Sequence, residues 1–305
     1  MGSENLVLKF RLLLFSWFHL RSKLGPPSVV KCFSYNDIKK ATDGFKRVIH
    51  NSPEGDSYKA VFRNGLVARV KEVKAVDEDD DFFCREVELL GYLNHRHIVA
   101  LSGFSTGYRR FLVFENSEDT SLMEHLSDPL RTPLNWRTRL QIAIGIGAAL
   151  EYLHFFCDPP VYLVSLSSKT ILLDENLIPK ISDVGFLGSA GNHDALPTSS
   201  CCSKGCTKQE CKNIIFQLGL LLLELITGQS SETGGIDLVQ WVQESNFPSS
   251  MHKMIDPDLG NNYDQGELFG LLKVARLCIR SVDKARIHTP QILWYLQKKV
   301  GMVRK

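Results

Sequence analysis

Apolar and polar residues alternate with period two from Phe45 to Val73, the spacing of a half-buried sheet, and Arg63-Asn64-Gly65 supplies turn chemistry between the runs Tyr58–Phe62 and Leu66–Val73. An antiparallel sheet is expected there. The acidic run Asp77–Asp81 then precedes Phe82–Leu93, in which Phe83, Val87, Leu90 and Leu93 fall on one helical face and the leading acids suit the positive end of a helix dipole. Short strands are expected at Ile98–Phe104 and Phe111–Phe114. Beyond Thr120 the pattern turns helical: Leu140–His154 and Ile214–Thr227 are apolar nearly all round, as buried helices are. Strands with one helix, followed by a helix-rich half, predict an α+β chain of two unlike lobes without internal repeats.

Composition sets bounds on this picture. The 305 residues are 44% hydrophobic, with a mean hydropathy of −0.09, the balance of a globular protein. A chain of this size buries roughly 75% of its unfolded surface and needs no disulfide or structural metal to hold a core. The net charge of +2 argues against wholesale nucleic-acid binding. That average hides an asymmetry: the first 31 residues carry five bases and one acid, and the remainder is mildly acidic. Among the eight cysteines, Cys84, Cys157 and Cys278 lie in apolar stretches where a thiol is a small buried hydrophobe, so a reducing compartment is expected. Trp136, Trp241 and Trp294 are expected to anchor the core of the helical lobe, and Ser230–Gly235 and Gly260–Gly266 read as surface loops.

Near the N-terminus, Leu6–Leu20 is strongly apolar but interrupted by Lys9 and Arg11, short of the ~20 clean residues of a membrane-spanning helix. Two readings stay open for residues 6–23: an amphipathic segment on an anionic membrane surface, and a plain tail. Gly25-Pro26-Pro27-Ser28 breaks any helix and leads into the folded body. The divisions expected are a basic apolar tail and linker at 1–32, a sheet-rich lobe at 33–118 and a helical lobe at 119–305.

The series FSYNDIKKATDGF, ARVKEV, FCREVELLGYLNHRHIVALSGF, RRFLVFE, SLMEHL, LNWRTRLQIAIGIGAALEYLH, ILLDENLIPKISDVG, LGLLLLELITGQ and MIDPDL resembles, in order and spacing, the intracellular kinase domain of plant receptor-like protein kinases over about residues 33–300. The resemblance implies a bilobal protein-kinase fold and an ATP-dependent Ser/Thr phosphotransferase. Such chemistry requires a glycine-rich cover for the phosphates, a Lys held by a Glu, acidic and amide ligands for magnesium, and a base at the attacking hydroxyl. By the same resemblance Lys71 matches the strand lysine, Glu86 its helix partner and Asp183 the metal-binding aspartate. Lys71 and Glu86 would equally make a structural ion pair without nucleotide.

Other parts are replaced. His50 and Ser52 stand at the first two positions of the glycine loop and only Gly55 remains, while Glu54 and Asp56 add repulsion toward a triphosphate. Ser165 stands where the resemblance places the base and Thr170 where it places the magnesium-binding Asn, and Ser167 replaces the phosphate-steadying Lys. A serine hydroxyl is a far weaker base than a carboxylate. Arg69, two residues from Lys71 on one strand, shares its face and stands where relatives carry a small Ala against the adenine; obstruction of the base is expected, with a guanidinium turned to the rim, or stacked on the base, as the other outcomes.

Gly188–Cys211 lacks the family's Pro-Glu, so Arg286 loses the partner that the family supplies. The spacing of Cys201, Cys202, Cys206 and Cys211 fits no common zinc motif, and a reduced loop is expected. The column that links the lobes of family members reads Leu101, Leu90, Val184 and Leu163, with Ile214 at its aspartate anchor, so every polar member has become aliphatic. The leading expectation is an inactive pseudokinase acting as an interaction module for protein partners, active receptor-like kinases among them, in the cytoplasm or on the cytoplasmic side of the plasma membrane. No resident cofactor is expected, although residual ATP and magnesium binding stays open. The competing expectation is an unorthodox kinase using Lys71, Glu86 and Asp183, and a third is a folded relic without a selected role.

Overall fold

The computed structural model describes residues 30–51, 55–74, 80–107, 109–115, 120–157, 160–161, 164–184, 206–230, 238–243, 253–280, 294 and 296. They fall into two compact units, residues 30–115 and residues 120–296.

The first unit is built on a six-stranded sheet. Its elements in chain order are β1 (Lys31–Cys32), α1 (Tyr35–Ala41), β2 (Val48–His50), β3 (Ser57–Val61), β4 (Val67–Val73), α2 (Asp80–Tyr92), β5 (Leu101–Ser105) and β6 (Arg110–Glu115). The strands lie in the order β1-β5-β6-β4-β3-β2, antiparallel except that β1 runs parallel to β5. The expected hairpin is present: Gly65, at φ +80°, closes the turn, and its N–H donates to the Phe62 carbonyl.

The sheet takes in Lys31 and Cys32, two residues that the sequence pattern leaves in the tail, and a second helix, α1, joins the one expected. That helix is locally encoded. Ser34 and Asp37 form a reciprocal capping box, with the Asp37 N–H donating to Ser34 Oγ at 3.1 Å, and Ile38 and Ala41 are buried. Only seven residues long, α1 depends on burial for its stability. It packs with Phe33 on the sheet face that carries Tyr58, Ala60, Ala68, Val70, Phe111 and Val113.

The second unit holds β7 (Thr120–Ser121), α3 (Leu122–Ser127), α4 (Trp136–Glu151) continued by a π-helical turn at Tyr152–Phe156, β8 (Ile171–Leu173), β9 (Pro179–Ile181), α5 (Cys206–Thr227), α6 (Leu238–Gln243), a 3-10 turn (Pro257–Leu259) and α7 (Gln265–Arg280). β7, β8 and β9 form a small antiparallel sheet. Helix α4, and α5 from Ile214 onward, are buried along most of their length, as their all-round apolar pattern predicts.

Arg139, 1% exposed, ties this unit together. Its Nε donates to the Leu134 carbonyl, one terminal nitrogen donates to the Leu225 carbonyl at 3.0 Å, and the other lies 2.6 Å from the Asp256 carboxylate. Gly228, at φ +68°, turns the chain so closely beneath Asp256 that a Cβ would stand 2.3 Å from the carboxylate, which makes glycine the fitting residue there.

Trp136 and Trp241 are buried, but Trp294 is 54% exposed, a correction to its expected role as a core anchor. Leu296, two residues on, is buried instead; a helical step of two turns nearly to the opposite face, so both cannot point inward. A second correction concerns Cys206 and Cys211, which fall within α5 and not in a loop. The leading turns of α5 are polar, so hydrophobic spacing reveals the helix only from Ile214 onward.

Candidate functional site

β4 separates two chemistries by simple alternation. Ala68, Val70 and Glu72 face α1, whereas Val67, Arg69, Lys71 and Val73 face the other way. Register places Lys71 beside Ser57 of β3 and Leu112 of β6, and Arg69 beside Lys59 and Phe114. Arg69 and Lys71 therefore share one face, and both are half-buried. α2 covers the same face farther along, its Phe83 ring meeting Phe104 edge-on at 6.5 Å between centroids. Glu86, 1% exposed, sits one helical turn from Phe83 on the buried side of α2. Leu90 and Leu101 are buried in this unit as well.

On the α1 face a charged cluster lies beyond any pairing that spacing indicates. Arg109 Nε donates to Glu72 at 2.7 Å, a second guanidinium nitrogen binds the other carboxylate oxygen, and the Tyr58 hydroxyl donates to Glu72 at 3.3 Å. The guanidinium also lies over the Phe45 ring, 4.4 Å from its centroid. The Glu72 bonds, with those from tyrosine, hold the Arg109 proton more tightly than in free arginine. Phe45 reaches this cluster from a left-handed backbone (φ +67°), and its stacking on Phe111 offsets that strain. The sequence signal for the cluster is an acid, Glu72, at a strand position that faces the core.

Of the glycine-loop positions, His50 is exposed on β2 and Ser52 and Glu54 lie outside the described residues. Gly55 is buried at φ +144°, and a Cβ there would stand 1.8 Å from the Glu72 carbonyl oxygen. Its smallness is required by its own sheet, since the adjacent Asp56 carbonyl accepts the Glu72 N–H.

In the second unit, residues 164–170 form a loop closed on itself. Val164 pairs with Val184 in an isolated antiparallel bridge, and the Ser165 N–H donates to the Asp183 carbonyl at 3.1 Å. The Thr170 hydroxyl donates toward the carbonyls of Ser165 (2.8 Å) and Ser167 (3.1 Å) and accepts from the Ser167 N–H (2.9 Å). The Leu166 N–H donates to Gln217 of α5, and the Ser182 hydroxyl donates to the Thr170 carbonyl. Thus Ser165, Thr170 and Asp183 are brought together on two adjoining backbone segments. Val184 and Ile214 are buried, and Leu163 and Arg286 lie outside the described residues.

Cys84 and Cys278 are buried thiols outside any disulfide, and Cys157 is half-buried. Burial raises the Cys278 thiol far above its ordinary range, so it is inert. Cys201, Cys202 and the membrane-surface segment 6–23 lie outside the described residues. Among the described residues no helix is long and apolar enough to cross a membrane, and no cluster of His, Cys, Asp and Glu is arranged to hold a metal ion.

A mixed sheet unit followed by a helical unit, with Lys71 on the third strand of the sheet's antiparallel run and Asp183 just after β9, is the layout of a protein kinase domain. Residues 50–208 match the protein tyrosine and serine/threonine kinase family, and the chain belongs to that family. Its relatives lie in the plant receptor-like branch. It is 36% identical over 284 residues to a probable receptor-like protein kinase of Arabidopsis thaliana, covering 87% of this chain but 43% of that protein. It is also 31% identical over 294 residues to the probable serine/threonine-protein kinase PBL7 of Arabidopsis thaliana, covering 87% of this chain and 76% of the relative. Among solved structures it resembles the pseudokinase domain of BIR2, an immune regulator of the RLK/Pelle family, with a TM-score of 0.76, 25% identity, and coverage of 92% of this chain and 89% of that one.

Proposed function

We propose that this kinase-like domain transfers no phosphate and acts by binding protein partners in receptor-kinase signalling, in the cytoplasm or at the cytoplasmic face of the plasma membrane. The carrying observation is the loop at 164–170. Ser165 offers no carboxylate to take a proton, and the Thr170 hydroxyl, at the position of the family's metal amide, is spent on the loop's own carbonyls. Lys71, Glu86 and Asp183 supply a cation, its acid and one metal ligand. That set does not fit magnesium and a triphosphate, because the second metal ligand and the phosphate lysine are both replaced and Arg69 stands at the base. The one remaining loop glycine is accounted for by the Glu72 carbonyl. Likeness to the BIR2 pseudokinase domain supports the same reading.

The retained trio favours a second reading, a weak kinase working through Lys71, Glu86 and Asp183. Incubation of the purified chain with radiolabelled ATP and magnesium separates the two. No incorporation is expected. Incorporation abolished by Lys71→Met would overturn the proposal. Recovery of a stable partner with the tagged chain from plant tissue tests the binding role, and its absence would favour a folded relic.

A further inference from the structure

Among the described residues β2 is the outermost strand on one side of the six-stranded sheet, and its margin is exposed. Val48 and Ile49 are adjacent apolar residues, 47% and 46% exposed, and Val61, at the end of the neighbouring strand β3, adds a third at 42%. Cations flank them. Lys39 and Lys40 lie exposed in the last turn of α1, which packs on β3, and the exposed Lys46 and Arg47 lead directly into β2. Arg63, also exposed, follows Val61 in the hairpin turn. The acids between residues 37 and 50 are Asp37 and Asp43. Asp37 accepts from the Ser34 hydroxyl and lies within the fields of Lys40 and Arg63, which sets the hairpin turn beside α1. Two acids against these five cations leave the margin positive. The margin is poorly made for another strand: the register shift between Val48 and His50 breaks the regular edge, and Lys46 and Arg47 stand before it, both devices that block strand pairing. A second copy would in addition bring the same cations together. Neither device obstructs a layer of anionic headgroups, which attracts each nearby Lys or Arg and takes small apolar side chains at its boundary.

We propose that the β2 margin of the sheet docks on an anionic phospholipid surface, with Val48 and Ile49 at the headgroup boundary and Lys39, Lys40, Lys46 and Arg47 over the headgroups. This deepens the reading of a domain that works at the cytoplasmic face of the plasma membrane, on which it rests, by naming the side turned to that membrane. The two fail separately. Absence of lipid binding leaves partner binding without phosphate transfer intact, and ATP turnover would overturn that reading without bearing on this one.

The test is co-sedimentation of the full chain with phosphatidylcholine vesicles, with and without phosphatidylserine at about one lipid in five. Expected is binding that requires the anionic lipid and weakens as salt rises. Lys46→Ala combined with Arg47→Ala should lower vesicle affinity about tenfold or more, and Val48→Ser combined with Ile49→Ser about threefold. Lys253→Ala combined with Lys273→Ala removes two exposed cations of the second unit and should leave affinity within about twofold of the parent's. Melting temperatures that stay near the parent's place the losses in docking, and Val48→Thr with Ile49→Thr serves if the serine pair fails to fold. No vesicle binding, equal binding to phosphatidylcholine alone, no loss in the margin variants, or an equal loss in the second-unit pair would overturn the proposal. So would release of the chain from vesicles by a soluble peptide of alternating glutamate and valine, which would assign the margin to a partner's strand.

Discussion

Two regions of the helical unit treat polar groups in opposite ways. Around Arg139 a full charge is kept in the core, because the guanidinium closes the Leu134 and Leu225 carbonyls and meets Asp256. In the loop at 164–170, where the resemblance to receptor-like kinases leads one to expect charged catalytic groups, neutral hydroxyls bond to the backbone beside them. Charge has been retained where the fold needs it to satisfy buried carbonyls. In the loop at 164–170 hydroxyls bonded to their own backbone stand instead. A buried ion pair is not in itself a large source of stability, but removing one member strands the other. A loop of short hydroxyl bonds carries no such liability.

The strongest way to break this contrast is Arg139→Ala, which leaves the Asp256 carboxylate and two carbonyls buried without their donor. A loss of about 3–5 kcal/mol is expected, read by urea unfolding. A loss below about 1 kcal/mol would mean that the two regions do not differ. Next in size is the effect of pH at His154, 3% exposed, whose pKa burial pushes down to about 4. The unfolded chain takes up this proton near pH 6.5 and the folded chain only near pH 4, so stability is complete above pH 6.5 and falls as pH drops between the two. The contribution is on the order of 3 kcal/mol. His154→Leu should flatten that part of the stability profile, and an unchanged slope would show that the histidine is not held neutral by burial. The smallest effect is expected in the loop itself. Thr170→Val keeps the shape but removes the hydroxyl bonds, for about 1–2 kcal/mol in thermal or urea unfolding, and no change would show that the loop is held by other means.

Much of the fold was legible in the chain. The β3–β4 hairpin, α2 and the buried helices α4 and α5 announce themselves through periods of two and 3.6 residues, which report a single buried face or burial on all sides. Helix α1 and strand β1 were not, because seven and two residues carry too little periodicity. Each is stabilised by contacts distant in sequence, Ile38 against the sheet and Lys31 beside Gly103. Trp294 misled for the complementary reason: an aromatic residue signals apolar area but not which side of a helix will be covered.

The candidate site divides in the same way. That Lys71 and Arg69 share a face follows from alternation along one strand, and that Ser165 and Thr170 stand where a carboxylate and an amide are expected is what the resemblance to receptor-like kinases implies. The cross-strand meeting of Lys59 with Arg69, the engagement of Thr170 with Ser165 and the capture of Glu72 by Arg109 are matters of register and chain reversal. The one-dimensional order states which groups are available and how they repeat. Which of them meet is decided by tertiary structure, because hydrogen bonds and ion pairs act over a few ångströms and only folding brings residues such as 72 and 109, or 139 and 256, within that reach.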